Sequence, residues 1–586
     1  MHHKHHPAHH ILTHAEVATQ YAHDVVNGKV LACKWVKLAC KRHLDDLIAS
    51  QDAAYPYVYD DAKGSRPCKF IQLLPHVEGP LAPGLIHLEP WQCFLVASLF
   101  GWVKRTNGLR RYQRAYICVP RKNAKSTLLA GIMLYTLILD NERGAQVYCG
   151  AGSKKQAEAV WLPAKAMALA THALKEKFGV QVNADSIIVP ATNSRFTRLI
   201  GNPGDGMSPH SVCVDEFHEH GDSRLYDAMT MGTGARTQPL VIVITTAGSN
   251  TASPCYFLQK DMEKILEGVV ANPTRFAIIY TIDNESYEFN GQEFPADDWT
   301  TEESLIKANP NWGISVNAEQ ALIEQQEAII SSEKQNTFKT KKLDIWCFAK
   351  SGYFNVENWI RCGDVELKKE DFAGLPCVKG LDLGSQEDLA ADVTVFQKMV
   401  EDPATLVSNM HYYIFSDLYV PRARAEDPTN KHYLKWVTDK HMIVTPGNEI
   451  DFSTIKNSIL SDEKEYDLRE ISCDPYQMTL LSQEIRLESG VEVIPVQQSA
   501  GNLNIPMKWL RGMINSGRVH HNGNPAMTWC ISNVISREDA NENDFPRKER
   551  PENKIDGVAA LLCALYRIRA VLGEEGNDQF YTYTGF

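Results

Sequence analysis

Apolar and polar positions change their period several times along the chain, and each change predicts a different element. Between residues 14 and 50 the apolar positions Val17, Tyr21, Val25, Val26, Leu31, Trp35, Leu38, Leu44 and Leu47 recur at helical spacing and predict a helical preface. Residues 51–85 are rich in Pro and Gly and predict loop. A second helical run covers 94–102, with Pro90 near its first turn. Largely apolar runs of strand length follow at 116–119, 145–150, 211–214 and 240–244, with helical patterns between them. Runs apolar on both faces, alternating with helices, predict a parallel sheet covered on each side. Residues 276–280 read as a strand and 318–332 as an amphipathic helix, within an extension over 255–345 that reads as a lid. Glycines 352, 363 and 374 mark 346–375 as a linker. Beyond it, 378–383, 393–396 and 412–415 predict a meander of strands, and 555–561 an apolar helix.

The polar residues at the strand ends carry the chemistry. Residues 119–126 read VPRKNAKS, between a strand and a helix. A polar loop ending in Lys-Ser at a helix start is the layout of a phosphate-binding loop. Its backbone N–H groups, from Arg121, Lys122, Asn123 and Ala124 through Thr127, face the anion; Lys125 neutralises the β- and γ-phosphates and Ser126 ligates Mg²⁺. Val119 and Ala124 stand where the standard loop has Gly. Asp215 and Glu216 end the next apolar strand, where Asp215 would hold the metal and Glu216 would deprotonate the attacking water. Two adjacent carboxylates repel, and a bound cation resolves the conflict. Thr245 and Thr246 end a third strand, where Thr246 can sense the γ-phosphate. Gln92 offers an amide donor and acceptor to an adenine edge. Arg236, on a small-residue turn, is either a finger given to a neighbouring subunit or a surface arginine, and Arg121 is a candidate for the same role in cis. The cluster Lys104, Arg105, Arg110, Arg111 and Arg114 reads as either a solvated face or part of a phosphate-binding surface, with the solvated face preferred.

The second half of the chain has a different set of acids. Asp382 lies in the first strand after the linker, Asp474 at the end of a later strand, and Asp556 at the start of the last apolar helix. That order is the ribonuclease H-like arrangement, in which carboxylates hold two divalent ions that activate water for phosphodiester cleavage. Asp388 and Asp392 either assist or are solvated. Lys554, Arg547, Lys548 and Arg550 are candidates for DNA phosphate contacts. The pair His520 and His521 reads as a strand or turn position rather than a metal site.

Composition changes this picture little. At 586 residues the chain has room for two or three domains. No apolar run approaches a membrane span, and no signal-peptide core is expected at the N-terminus. The 14 cysteines include no Cys-x-x-Cys pair, which argues against a zinc module and a disulfide framework and fits a reducing cytoplasm. A net charge of -12 excludes a uniformly basic coat but not a local basic surface. The leader MHHKHHPAHH reads as a tail.

Taken together, LEPWQ (88–92), VPRKNAKS (119–126), VCVDEFHEH (212–220), GARTQPL (234–240), ITTAGS (244–249), GLDLGS with Asp388, CDPYQ (473–477), HNGNPAMTW (521–529) and KIDGVAAL (554–561) resemble the large terminase subunit of tailed bacteriophages. The resemblance implies an α/β protein. A P-loop ATPase domain with a parallel-rich sheet and a lid (56–345) would follow a His-rich tail and helical arm (1–55). A linker (346–375), a ribonuclease H-like α/β nuclease domain (376–572) and a C-terminal tail (573–586) would complete the chain. It implies an ATP-driven motor that moves double-stranded DNA into a procapsid and a nuclease that cuts concatemeric genomes. ATP and Mg²⁺ are expected, with Mn²⁺ as an alternative at the nuclease. The implied partners are DNA, the portal protein, the small terminase subunit and further copies in a ring. The implied location is the host cytoplasm, docked transiently on the procapsid, absent from the mature virion, with no membrane. The other reading is an ATP-regulated nuclease of recombination or repair that works without a portal.

Overall fold

A computed structural model describes residues 12–200, 206–251, 253–347, 352–384, 388–401, 407–427, 431–475, 478–538, 543–550 and 553–572. The His-rich leader, Ser385, Gln477 and the segment 573–586 lie outside the described residues. The chain divides into two units, Met1–Ile330 with Thr337–Cys347, and Ser331–Asn336 with Phe348–Phe586.

The first unit opens with α1 (His14–Val26) and α2 (Lys34–Ala49). Thr13 and Glu16 cap α1 reciprocally, each side chain taking the other's backbone N–H. The buried face of α1 is Ala15, Ala18, Tyr21, Ala22 and Val25, so small residues set the close approach. These helices are part of the main core of the unit rather than a separate arm. The expected loop at 51–85 contains α3 (Asp61–Ile71), a departure with a packing cause. Gly64 and Pro67 are poor helix formers, but a Cβ on Gly64 would sit a tight 3.2 Å from the Ala97 carbonyl oxygen in α4 (Pro90–Gly101), so glycine favours the close approach of the two helices.

The sheet of this unit is built from β1 (Arg114–Cys118), β2 (Gln146–Ala151), β3 (Gln181–Val182), β4 (Ile187–Val189), β5 (Ser194–Ile200), β6 (Ser211–Asp215), β7 (Leu240–Thr245) and β8 (Arg275–Ile279). Their order is β8-β1-β7-β6-β2-β5-β4-β3, parallel from β8 to β5. Helices α5 (Lys125–Ile138), α6 (Lys154–Ala170) and α7 (Pro254–Leu266) pack with it. The register pairs Cys118 with Thr245 and Asp215 with Ile244, which brings the three polar strand ends to one edge. Strand β8 was expected in the lid. It pairs with β1 instead, and the lid core, around Ile282, Trp299, Leu305 and Leu343, starts beyond it. The predicted lid helix is α8 (Ala318–Ile330), followed by α9 (Ser332–Lys342).

In the second unit the expected linker is largely core. Tyr353, Phe354 and Trp359 are buried, the last on α10 (Val356–Arg361). The strands are β9 (Pro376–Asp382), β10 (Ala390–Glu401), β11 (Ser408–Pro421), β12 (Ile443–Thr445), β13 (Asp467–Cys473), β14 (Glu492–Pro495) and β15 (Val519–His521). The order is β12-β11-β10-β9-β13-β14, with β15 on β11. The first three in sequence are antiparallel, while β13 and β14 run parallel to β9. Alternation along β9 divides its side chains between two cores. Cys377 and Leu381 pack with α11 (Phe452–Glu465) and α12 (Thr479–Ser489). Val378 packs with α13 (Ala500–Asn515), α14 (Pro525–Asn533) and α15 (Asp556–Leu572). Gly380 is required on that second face, because a Cβ there would lie 1.9 Å from the Ala560 carbonyl oxygen of α15. Among the described residues no helix is long and apolar enough to cross a membrane.

Candidate functional site

The first unit gathers the predicted phosphate loop, the acid pair and the hydroxyl strand end. Lys122 and Ala124 have φ of 73° and 57°, the left-handed region where glycine is favoured. Ala124 therefore holds a glycine-like conformation without being glycine, at a cost of about 1–2 kcal/mol. Ala124 is the N-cap of α5 and gives no side-chain cap, so the first-turn N–H groups have no capping side chain. Ser126 and Thr127 lie half-buried in that turn. Lys125 Nζ donates to the carbonyls of Val119 (2.6 Å) and Pro120 (3.3 Å). Asp215 is buried at the end of β6, and the Glu216 N–H donates to its Oδ1 at 2.9 Å. Burial and the Glu216 charge push the Asp215 carboxyl up to about 7 against the pull of Lys125. Glu216 itself has φ 47°, and its Oε2 is buried without a hydrogen bond. Thr246 is fully buried beside it on the β7 end.

Several predicted residues have other duties. The Asn123 side chain is buried and fastens the loop: Nδ2 donates to Pro120 O (3.1 Å) and Asn309 Oδ1 (2.9 Å), and Oδ1 accepts from Asn311 N (3.0 Å). Gln92 caps its own helix, accepting from Glu89 N at 3.0 Å. Its neighbour Trp91 donates to Asn311 Oδ1 at 2.6 Å, so the 88–92 stretch supports the loop through Asn311. Arg236 does not project as a finger. Its Nε donates to Ser208 O at 2.8 Å, its guanidinium lies 3.6 Å from Glu142, and its side chain is only 12% exposed. The expected solvated face is also corrected, since Arg110 and Arg111 are buried and paired with Asp140 and Asp46. Arg121 is exposed, and its backbone N–H donates to Lys341 O at 3.0 Å.

Sequence reasoning missed Asp344 and Lys341. Asp344 is fully buried behind the loop, accepting from Ala247 N (3.2 Å) and Cys118 Sγ (3.3 Å). Burial pushes its carboxyl up to about 7, with Lys125 opposing. Lys341 Nζ contacts His218 Nε2 (2.8 Å), Thr246 Oγ1 (3.4 Å) and Ala247 O (3.5 Å). Neither residue belongs to a recognisable motif; both are placed by the lid returning to the sheet.

In the second unit, β9 and β13 end side by side, with Leu381 paired to Cys473, so Asp382 and Asp474 are at adjacent strand ends. Asp556 opens α15, whose close approach at Gly380 brings it to the same place. A Cβ on Gly384 would lie 3.2 Å from Asp556 Oδ1. Burial, then Asp556 and Asp474, push the Asp382 carboxyl up to about 7. Burial, then Asp388, push Asp556 up to about 6 against Lys554. Asp388 Oδ2 pairs with Lys554, while its Oδ1 is buried without a hydrogen bond. Lys554 is thus buried beside the acids rather than free for DNA.

A tighter acidic trio lies elsewhere in this unit. Asp392, Asp417 and Asp462 offer oxygens within 4.8 Å of one another, a spacing that Asp382, Asp474 and Asp556 do not meet. Lys379 fills that trio, at 2.7 Å from Asp392 and 2.6 Å from Asp462. Asp392, expected to assist or be solvated, is therefore a buried ion-pair partner. His521 stacks on Trp359 with centroids 4.1 Å apart, and His520 contacts His411, as a structural rather than metal-binding pair.

Both units are matched by the family comparisons, the first to a nucleotide-hydrolysing class of domain and the second to a phosphodiester-cleaving one. The family profile "Terminase large subunit, ATPase domain" matches residues 90–264, and "Terminase large subunit, endonuclease domain" matches 282–572. The chain is 38% identical over 382 residues to Protein YmfN of Escherichia coli (strain K12), covering 64% of this chain and 80% of that protein. It is 24% identical over 529 residues to the terminase large subunit of Enterobacteria phage HK97, covering 88% and 97%. The crystal structure of the HK97 large terminase aligns with a TM-score of 0.41 at 23% identity, over 86% of this chain and 99% of that one. The chain belongs to the terminase large-subunit family and is an ATPase and an endonuclease.

Proposed function

We propose that the chain moves double-stranded DNA into a procapsid with energy from ATP and cuts concatemeric DNA with a two-metal nuclease. The ATPase domain would span 56–345 and the nuclease domain 376–572, with the nuclease unit extended back to Tyr353. The observation that carries the reading is the crowding of carboxylates at both strand edges. Asp215 is buried and Asp382 and Asp556 half-buried, each beside another carboxylate, and their upward shifts, despite Lys125 and Lys554, support sites suited to cations.

In the first site the loop N–H groups of 121–127 and Lys125 hold the β- and γ-phosphates of ATP. Ser126 and Asp215 would hold Mg²⁺, which neutralises phosphate charge. Glu216 takes the proton of the attacking water as that oxygen bonds to the γ-phosphorus and the bond to the bridging oxygen breaks, releasing ADP. Thr246 meets the γ-phosphate. In the second site Asp382, Asp474 and Asp556 would hold two divalent ions, Mg²⁺ or Mn²⁺, which supply an activated water and stabilise the leaving oxygen. Asp388 and Lys554 orient Asp556 from behind.

The partners fitting this activity are the portal, the small terminase subunit and further copies of the chain, in the host cytoplasm. DNA packaging into purified procapsids tests it, with ATP turnover and DNA cleavage read in parallel. Lys125→Ala should abolish turnover and packaging but keep cleavage; Asp382→Ala should abolish cleavage and keep turnover. Wild-type ATPase in Lys125→Ala would sink the loop assignment. ATPase indifferent to portal, without packaging, would favour a regulated nuclease.

A further inference from the structure

With Arg236 turned inward, the cation nearest the β6 and β7 ends is one that no motif marks. We infer that Lys341, carried on the C-terminal turn of α9, is a phosphate-contacting residue of the ATP site, acting in cis from the lid. This rests on the ATP-site reading given above.

Geometry carries the inference. Lys341 Nζ stands between the ends of two neighbouring strands, 2.8 Å from His218 Nε2, just past β6, and 3.4 Å from Thr246 Oγ1, just past β7. Its own carbonyl accepts the Arg121 N–H, so its backbone is tied to the phosphate loop itself. One lysine thus touches all three strand-end segments that form the nucleotide edge. Its bonding partners are an imidazole nitrogen, a hydroxyl and a backbone carbonyl, and among the described residues it forms no ion pair. By contrast Arg110, Arg111, Lys307 and Lys379 each have a carboxylate within 3 Å, whereas Lys125 of the phosphate loop, like Lys341, donates to carbonyls, and buried Lys37 donates to the Tyr287 hydroxyl. A largely buried ammonium without a bonded anion is costly unless an anion is part of its working environment. Burial and the Arg121 charge also lower the affinity of Lys341 for its proton, with Glu216, Glu219 and Asp344 opposing.

His218 completes the device. To accept from the ammonium, Nε2 must be unprotonated, which puts the ring proton on Nδ1, 3.0 Å from Thr245 Oγ1 and 3.2 Å from Glu216 Oε2. The imidazole thus lies between Lys341, which it bonds, and the Glu216 carboxylate, which it approaches without a hydrogen bond. A γ-phosphate that draws Lys341 toward itself releases the Nε2 of the ring packed against Glu216.

The test uses the full-length chain with Lys341→Gln, Lys341→Arg and Lys125→Ala. Steady-state ATP turnover, DNA cleavage and the thermal midpoint of each are measured. Lys341→Gln should lower kcat/KM for ATP by about 100-fold, mostly in kcat, with cleavage and the midpoint unchanged. Lys341→Arg, which keeps the charge, should recover at least a tenth of the wild-type rate. Unchanged turnover in Lys341→Gln, with Lys125→Ala inactive, would overturn the inference and leave the ATP site standing. Equal losses in Gln and Arg variants with a lowered midpoint would also overturn it, marking a fastening role. Full turnover in Lys125→Ala would instead overturn the ATP-site reading itself.

Discussion

Two acidic trios lie on opposite faces of the same strand in the second unit, and they are built in opposite ways. Asp382 ends β9 on the face shared with Gly380 and α15, beside Asp474 and Asp556. Lys379 and Leu381 point to the other face, where Asp392 pairs opposite Leu381 and joins Asp417 and Asp462. The second trio is the tighter, yet it is the one that a protein cation fills. Lys379 is fully buried against Asp392 and Asp462, and Lys369 reaches Asp462 at 2.5 Å. Among the described residues, Lys554 and Lys548 act on Asp556 of the first trio, and Lys554 is bonded to Asp388. Acid density therefore does not separate the two trios; the protein cation does. A search by carboxylate spacing alone selects the trio that Lys379 fills.

The difference is broken most severely at Lys379. Lys379→Met should destabilise the second unit by about 3–5 kcal/mol, because Asp392 is left buried and unpaired. Urea unfolding followed by tryptophan fluorescence reads this, and adding Asp392→Asn should return part of the loss. A cost below about 1 kcal/mol would mean that the trio is wet and that the contrast drawn here is false. Nothing comparable is expected of the acids on the other face, whose replacement removes repulsion.

That asymmetry also appears as opposite responses to pH. Asp382 is raised, to about 7, so the folded state keeps its proton longer than the unfolded chain does, and stability falls as pH climbs from about 4 to 7. Asp462 is lowered: burial works against it, but Lys379 and Lys369 outweigh burial. Its contribution is present above the unfolded value and is lost as pH falls through the folded one. In EDTA at pH 8, Asp382→Asn should be more stable than wild type by on the order of 2 kcal/mol, with the gain gone at pH 4. Mg²⁺ should stabilise wild type and not the variant. Asp462→Asn should cost stability at pH 7 and less as the solution is acidified. Thermal midpoints across pH decide both, and identical slopes for the two variants would contradict the comparison.

The trio proposed to hold metal was singled out in the sequence, and the ion-paired one was not. Asp382, Asp474 and Asp556 each follow or begin an apolar run, and strand ends are where polar side chains escape burial. Asp392 sits inside a strand and Asp462 inside a helix, where a sequence offers no hint that Lys379 lies opposite. The same limit applies in the first unit. Lys125, Asp215 and Thr246 were readable from strand ends, whereas Lys341 and Asp344 reach the edge only through the return of the lid. Gly64 and Pro67 hid α3, because their helix cost is met by contact with α4, and Gly352 and Gly363 made a core segment around Trp359 look like a linker. Arg236 looked exposed because its turn is small and polar, while the partners that draw it in, Ser208 and Glu142, are distant in sequence.

The smallest effect isolates what burial contributes. Arg486 Nη2 lies 2.7 Å from Glu492 Oε2, the same separation as Lys379 from Asp392, within the same unit. The difference is exposure: 54% and 61% for the surface pair against none for the buried one. In water the Coulomb attraction at that distance is mostly screened, and ordering two long side chains offsets much of the rest. Arg486→Ala should therefore shift the unfolding free energy by no more than about 0.5 kcal/mol. It should also leave the response to Mg²⁺ unchanged, since the pair is not among the acids at the β9 end. A loss approaching that of Lys379→Met would show that ion-pair distance, not desolvation, sets these energies, and the reading of the two trios would have to be rebuilt on that basis.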